Sequence, residues 1–270
     1  MGPIVVKFGG SSLATAGQFE KVADIIHKNP ARRYVVASAP GKRCPEDTKV
    51  TDLLYRCYDA ACAGKDFMPA LAQIQQRFEY IIAQLQLQID LSADLETIAA
   101  HLRTAPQRDY MASRGEYLNS KLLAAYLGVP FVDAAQIVLF RADGMLDVES
   151  TNKAIGNTLQ NVDRAVIPGF YGAMPDGTIC TFSRGGSDVT GSIVARAVGA
   201  ALYENWTDVS GVLAADPRIV ENPRMIDYIT YRELRELSYM GASVLHEDAV
   251  FPVRQANIPI NIRNTNCPTD

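Results

Sequence analysis

Two stretches of this chain repeat one plan, and together they limit the folds open to it. Ile4-Val5-Val6-Lys7-Phe8 reads as a short apolar strand running into Gly9-Gly10-Ser11-Ser12, after which Phe19, Val22, Ala23 and Ile26 recur on one helical face. Far downstream, Thr178 to Ser183 reads as a strand and Arg184-Gly185-Gly186-Ser187-Asp188 as a hinge. From Val189 onward, Ile193, Val194, Ala197, Val198 and Ala201 recur at helical spacing. A glycine corner lets a ligand approach the backbone, and the unpaired N–H groups of a helix start attract anions. The other reading of the second corner is a plain connection with Ser187 or Asp188 as N-cap. Lys7 speaks for the first reading, because a charge inside a buried strand is costly unless something pairs with it. From the strand's end its ammonium reaches the glycine loop, where phosphate is the expected contact. Two such corners can face one another across a polyanion.

The rest of the chain alternates strands with helices, which points to an α/β fold with a parallel sheet. Tyr34 to Ser38 is the next strand, and a helix resumes near Val50, with Thr51 a candidate cap. Residues 67–87 carry an amphipathic helix, and residues 92–102 a shorter one capped by Ser92 or Asp94. Ser113-Arg114-Gly115-Glu116 is expected to precede a further helix, where Glu116 either favours the positive helix start or binds an ammonium group. Val129 to Phe140 reads as two short strands around Ala134. Ala165 to Gly172 reads as a strand running into a glycine turn, and Pro175-Asp176-Gly177 as a hairpin turn. Leu202 to Trp206 is a strand that ends in the turn-rich Thr207-Asp208-Val209-Ser210-Gly211. Helices are expected from Tyr231 and over 241–250, a last strand over 258–262, and a weak boundary near Asn222-Pro223.

Composition removes several classes of function. A chain of 270 residues can bury a sizeable core as one large α/β domain or as two lobes. Its net charge of -4 leaves no basic footprint for nucleic acid. No apolar run approaches bilayer-spanning length, and the N-terminus enters a strand without a basic region, which argues against a secretory signal. The five cysteines form no C-x-x-C pair, which suits reduced thiols in a cytosol. The three histidines lack metal-ligand spacing.

The sequence has no G-x-x-x-x-G-K-[ST] and no G-x-G-x-x-G opening a βαβ unit, and the H-R-D and D-F-G elements of protein kinases are missing. What remains is the paired glycine corners, one lysine and a polar cluster at a strand end. Lys7-Phe8-Gly9-Gly10-Ser11-Ser12, Ser183 to Asp188, Trp206-Thr207-Asp208-Val209 and Asp216-Pro217-Arg218 together resemble the aspartate kinases of the amino acid kinase superfamily. Val50 to Leu54 and Gly241 to His246 are similar to two further family elements. The resemblance runs from Val5 to about Ile262.

That resemblance implies a carbamate kinase-like fold, an open, mostly parallel sheet between helical layers. Acceptor and nucleotide would meet over the carboxyl ends of its strands, in an amino-acid lobe over roughly 1–175 and a nucleotide lobe over roughly 176–265. It implies ATP with Mg²⁺ and L-aspartate as partners and 4-phospho-L-aspartate and ADP as products, the entry step to lysine, threonine, methionine and diaminopimelate. Lys7 and Asp188 would be catalytic. Arg184 would grip the α-carboxylate and Glu116 the α-ammonium, with Thr51, Phe170, Gly185, Gly186 and Ser187 lining the pocket. Lys7, Gly9, Gly10, Ser11, Thr207, Asp208, Leu213, Arg218, Ser243 and Val244 match positions that hold nucleotide. Ser243 stands where many relatives have a lysine, so a phosphate contact is either missing or supplied by Arg218 or Lys42. Aspartate kinases usually continue into regulatory ACT domains, and no lysine or threonine feedback site is expected on this polypeptide. A cytoplasmic location and a possible homodimer complete the expectation. The rivals are superfamily enzymes acting on N-acetylglutamate, glutamate or a nucleoside monophosphate, and a silent binding subunit.

Overall fold

The computed structural model describes residues 2–183, 185–215, 219–221, 223–239, 245 and 247–269. In chain order, β1 (Ile4–Phe8) leads through a 3₁₀ turn, Ser11–Leu13, to α1 (Ala16–His27) and β2 (Arg32–Ala37). Four helices follow: α2 (Val50–Cys62), α3 (Met68–Gln84), α4 (Ser92–Thr104) and α5 (Arg108–Leu127). The short α6 (Ala134–Ile137) and α7 (Val148–Leu159) precede β3 (Ala165–Pro168) and the hairpin of β4 (Tyr171–Ala173) with β5 (Ile179–Thr181). Then come α8 (Gly186–Ala197), β6 (Leu202–Thr207) and a small hairpin of β7 (Val212–Leu213) with β8 (Met225–Ile226). The last elements are α9 (Tyr231–Tyr239), α10 (Glu247–Gln255) and β9 (Ile260–Asn264).

Among the described residues, one parallel sheet takes the strand order β3-β2-β1-β6-β9. The chain builds outward from β1 to β2 and β3, then returns to the other flank of β1 for β6 and β9. Ligands of open α/β sheets bind where the order reverses, outside the carboxyl ends of the strands. Here that crevice lies between the ends of β1 and β6, where Gly9 and Thr207 stand.

Alternation along the strands divides the core into two layers. Val6, Phe8, Val35, Ala37 and Trp206 pack with α1 to α5. Val5, Tyr34, Val36, Ile167 and Tyr203 pack on the other face with α6, α7, α8 and α10. Because successive side chains of a strand point to opposite faces, Lys7 falls on the face of Val5, toward α8. Phe8, Phe19, Phe78 and Trp206 are fully buried, and each such side chain stabilises the fold by about 1.5–3 kcal/mol. The buried Arg32 carries its guanidinium past β1 to Glu204, with Nε–Oε2 at 2.8 Å and the second bond at 3.1 Å. Glu204 also accepts the Trp206 indole N–H at 2.7 Å, so both buried charges are satisfied.

Several boundaries differ from the sequence reading. Val129 to Phe140 forms isolated bridges, Phe131 to Val166 and Leu139 to Ala173, around the helical turn α6. Asp133 causes the turn by capping the Ala135 amide. α2 begins at Val50 with Lys49 at the N-cap, so Thr51 is no cap. Neither Ser92 nor Asp94 caps α4; the Asp90 carboxylate takes the Ser92 amide instead, at 2.8 Å. α5 begins at Arg108, well before Ser113, and ends at Gly128 in the left-handed conformation that suits a helix stop. The helix expected over 241–250 falls mostly outside the described residues. Among those residues, no helix is long and apolar enough to cross a membrane.

Candidate active site

The corner after β1 owes its shape to close packing. Gly9 donates its amide to the Trp206 carbonyl at 2.9 Å, which ties the corner to β6. Gly10 accepts the Gly41 amide at 2.8 Å, and a Cβ on Gly10 would lie 2.8 Å from the Ala39 carbonyl oxygen. No side chain fits there. The chain then turns through Ser11–Leu13, and α1 starts only at Ala16, capped by Thr15. The buried Ser12 hydroxyl meets Thr265 Oγ1 at 2.7 Å, while Ser11 is exposed beside the crevice.

The second corner opens directly into a helix. Gly185 is the N-cap residue of α8 in the left-handed conformation, φ +56°. Neither Ser187 nor Asp188 caps the helix, contrary to the plain-connection reading. The Val189 amide starts the ladder on the Gly185 carbonyl, so the amides from Gly186 to Asp188 have no intrahelical partner and suit an anion. Asp188 is drawn away from capping by a charged partner: Lys7 Nζ lies 2.7 Å from its Oδ1. Asn205 completes a triangle. Its Nδ2 donates to Asp188 Oδ1 at 2.9 Å, and its Oδ1 accepts from Lys7 Nζ at 3.4 Å. Lys7, 8% exposed, is thus a buried strand-end cation held at the crevice by α8 and β6.

Glu116 stands apart from this triangle. It lies mid-way along α5 rather than at a helix mouth, so the helix-start reading does not apply. The side chain is buried, and among the described residues Oε2 has no hydrogen-bond partner. Desolvation pushes its pKa up to about 8, opposed by backbone hydrogen bonds from Ala39 and from its own amide, and by the charge of Arg114. A carboxylate in this state gains most from a cation that arrives with a ligand. Its neighbour Gly115 lets α5 approach the Ala39 segment, since a Cβ there would lie 2.8 Å from Ala39 Cβ and 3.6 Å from Val50 Cγ1. Thr51, half-buried, follows Val50. Ala39 therefore touches the Gly10 corner on one side and the Glu116 helix on the other.

The loop from Ala39 to Lys49 is strapped from behind. The buried Arg77 on α3 donates to the Thr48 carbonyl at 2.9 Å and to the Gly41 carbonyl, and it pairs with Asp47 at 3.1 Å. Hydrogen bonds from Arg43 hold the Asp47 carboxyl well below the usual range. Lys42 donates to the Pro45 carbonyl at 3.0 Å, inside its own loop.

Thr207 and Asp208 stand at the end of β6, the Thr207 hydroxyl donating to Asp208 at 3.1 Å. Leu213 lies on β7, partly exposed, paired with Met225. Phe170 adopts φ +80° beside Gly186, and Ser187 packs against Gly169. Arg184, Arg218, Ser243 and Val244 lie outside the described residues. Two groups escaped the sequence reading. Asn205 is polar within the strand pattern of Leu202 to Trp206, the kind of residue that marked Lys7. Arg77 sits among the apolar residues of an amphipathic helix.

Residues 2–264 match the profile described as the Amino acid kinase family. The chain belongs to the amino acid kinase family. Within the family, it is 43% identical over 98% of its length to aspartokinase 3 of Bacillus subtilis, of which it spans 62%. The crystal structure of Clostridium acetobutylicum aspartate kinase superposes with a TM-score of 0.94 at 50% identity, covering all of this chain and 61% of that one. Escherichia coli aspartokinase III, solved in complex with aspartate and ADP, gives a TM-score of 0.85 at 26% identity over 99% of this chain and 63% of its own. The chain thus spans about three fifths of the length of these relatives.

Proposed function

We propose that this chain transfers the γ-phosphoryl group of ATP to the side-chain carboxylate of L-aspartate, giving 4-phospho-L-aspartate and ADP. The observation that carries the substrate is Glu116: a buried carboxylate with one oxygen unpartnered fits the α-ammonium of a free amino acid. An acetylated amine brings no charge to such a group. The likeness to aspartate kinases at up to 50% identity supports the same reading.

The chemistry asks little of a base. The acceptor carboxylate is ionised at neutral pH, so its oxygen forms the bond to phosphorus while the bond to the ADP oxygen breaks. The obstacle is bringing one anion to another, so catalysis rests on positioning and charge neutralisation. Lys7 would turn from Asp188 toward the phosphates, and the amides of the α8 start would receive charge on the transferring group. Arg184 would grip the α-carboxylate bidentately, with Thr51, Phe170 and Ser187 closing the pocket. Thr207, Asp208, Leu213, Arg218 and Val244 would hold the nucleotide. Mg²⁺ commonly binds through phosphate oxygens with one or two carboxylates, and the exposed Asp208 suits that role; when bound, the ion neutralises phosphate charge. A cytoplasmic location and a homodimer belong to the same reading.

The test is aspartate-dependent ADP release with hydroxylamine trapping of the acyl phosphate. Turnover with aspartate and none with N-acetylglutamate is expected; the reverse result would replace the substrate.

A further inference from the structure

Two turns remote in sequence interlock behind the candidate amino-acid pocket. Phe170 holds φ at +80°, in the left-handed region that a phenylalanine rarely adopts. Such a residue persists only where its surroundings over-determine it. Here they do so through both backbone groups: its carbonyl accepts the Phe182 amide at 2.9 Å, and its own amide donates to Thr190 Oγ1 at 3.0 Å. Thr190 is fully buried on α8, and its hydroxyl donates to the Gly186 carbonyl at 3.0 Å. A threonine bonding back along its own helix is common. The second bond is not, because the same oxygen spends a lone pair on another turn.

The two turns meet with no room for side chains between them. A Cβ on Gly186 would lie 2.9 Å from Phe170 Cα, and a Cβ on Gly169 would lie 2.6 Å from Ser187 Oγ. A hydroxyl has one proton to give and two lone pairs, so Thr190 can serve Phe170 and Gly186 at once. Valine, of the same shape, serves neither.

We propose that Thr190 is a positioning residue for the acceptor amino acid. Its hydroxyl holds Phe170 in the left-handed conformation and so sets the spacing between the Phe170 turn and the Gly185–Asp188 corner. This rests on the aspartate kinase reading, in which Phe170 and Ser187 border the aspartate while the nucleotide lies along the ends of β1 and β6. Loss of the hydroxyl therefore acts on one substrate and not the other.

The experiment compares Thr190→Val, Thr190→Ser and Phe170→Gly with the unaltered chain. A phenylalanine no longer held in the left-handed region leaves it, at a cost that sets about a tenfold rise in the KM for aspartate in Thr190→Val, with the KM for ATP within about twofold. Thr190→Ser keeps the hydroxyl and restores the aspartate KM. Glycine adopts the left-handed conformation without being held, so in a Phe170→Gly background Thr190→Val adds little, a non-additive pair. If Thr190→Val does not fold, Thr190→Ala is read in the same cycle. An unchanged aspartate KM in a folded Thr190→Val or Thr190→Ala, equal effects on both substrates, or additivity with Phe170→Gly overturns the proposal. An unaltered chain that ignores aspartate instead overturns the reading of the site on which the proposal stands.

Discussion

The corner after β1 and the corner before α8 share Gly-Gly-Ser, yet they are built on different physics. In the first, Gly10 has an ordinary helical backbone, φ -63°, and glycine is required because Ala39 and Gly41 press against it. In the second, glycine is required by conformation, because Gly185 holds a left-handed φ of +56°. The first corner winds into a 3₁₀ turn and defers its helix; the second starts a helix at once and turns bare amides outward. The first brings the cation, Lys7, and the second the carboxylate that holds it, Asp188. What a motif in one dimension presents as a repeat is, in three dimensions, a division of labour.

The largest effect should fall on the charge shared between the corners. Lys7→Met keeps the length of the side chain and removes the ammonium, and kcat should drop by about a thousandfold, the scale of losing one preorganised charge at a phosphoryl transfer. Near-normal turnover would show that the two corners do not converge on phosphate. Thermal unfolding separates this loss from a loss of fold.

Glu116→Gln comes next, because Ala39 links that helix to the first corner. The KM for aspartate should rise roughly a hundredfold, as expected when one member of a buried charge pair is removed, with the KM for ATP nearly constant. The pH dependence has a definite sign. With a pKa near 8, ionised Glu116 is populated as pH rises toward 8, so the aspartate KM should fall over that range, and binding below it should release a proton. Stability of the unliganded protein runs the other way. The folded chain holds this proton more tightly than the unfolded one, so the contribution is complete below the ordinary carboxylate range and is lost as pH climbs through 8. Calorimetric titration in buffers of different ionisation enthalpy checks the proton, and a flat Glu116→Gln profile identifies its source.

The glycines give the smaller effects and the sharpest contrast. Gly10→Ala overpacks a corner whose neighbours are backbone atoms and should destabilise by about 2 kcal/mol. Gly185→Ala should lose about 1 kcal/mol to its left-handed φ. Asparagine tolerates that region better, so Gly185→Asn should recover part of the stability and Gly10→Asn should recover none. Equal behaviour at both positions in chemical denaturation would erase the distinction drawn between the corners.

Much of this was legible in one dimension because periodicity is local. The alternation of β1 and β6, the helix of residues 68–84, the hairpin turn at Pro175 and both glycine corners follow from neighbours along the chain. Lys7 could be singled out because a charge in an apolar strand requires a partner wherever it goes. The family elements carry the fold for a similar reason: their order survives without coordinates. The identity of each partner is another matter, since it depends on which strands lie side by side. Asn205 meets Lys7 only because β6 returns to the free flank of β1, and Arg77 reaches Gly41 only because α3 packs against the loop. Glu116 shifted from a helix start to a buried mid-helix position because α5 begins at Arg108, nine residues further back than its apolar pattern suggested, and desolvation there sets its chemistry. Phe170 reads in sequence as part of a glycine turn; its left-handed backbone is held by Thr190 and the Phe182 amide. Local pattern decided which elements form and which residues carry charge, whereas burial and pairing, which depend on long-range packing, decided what those residues can do.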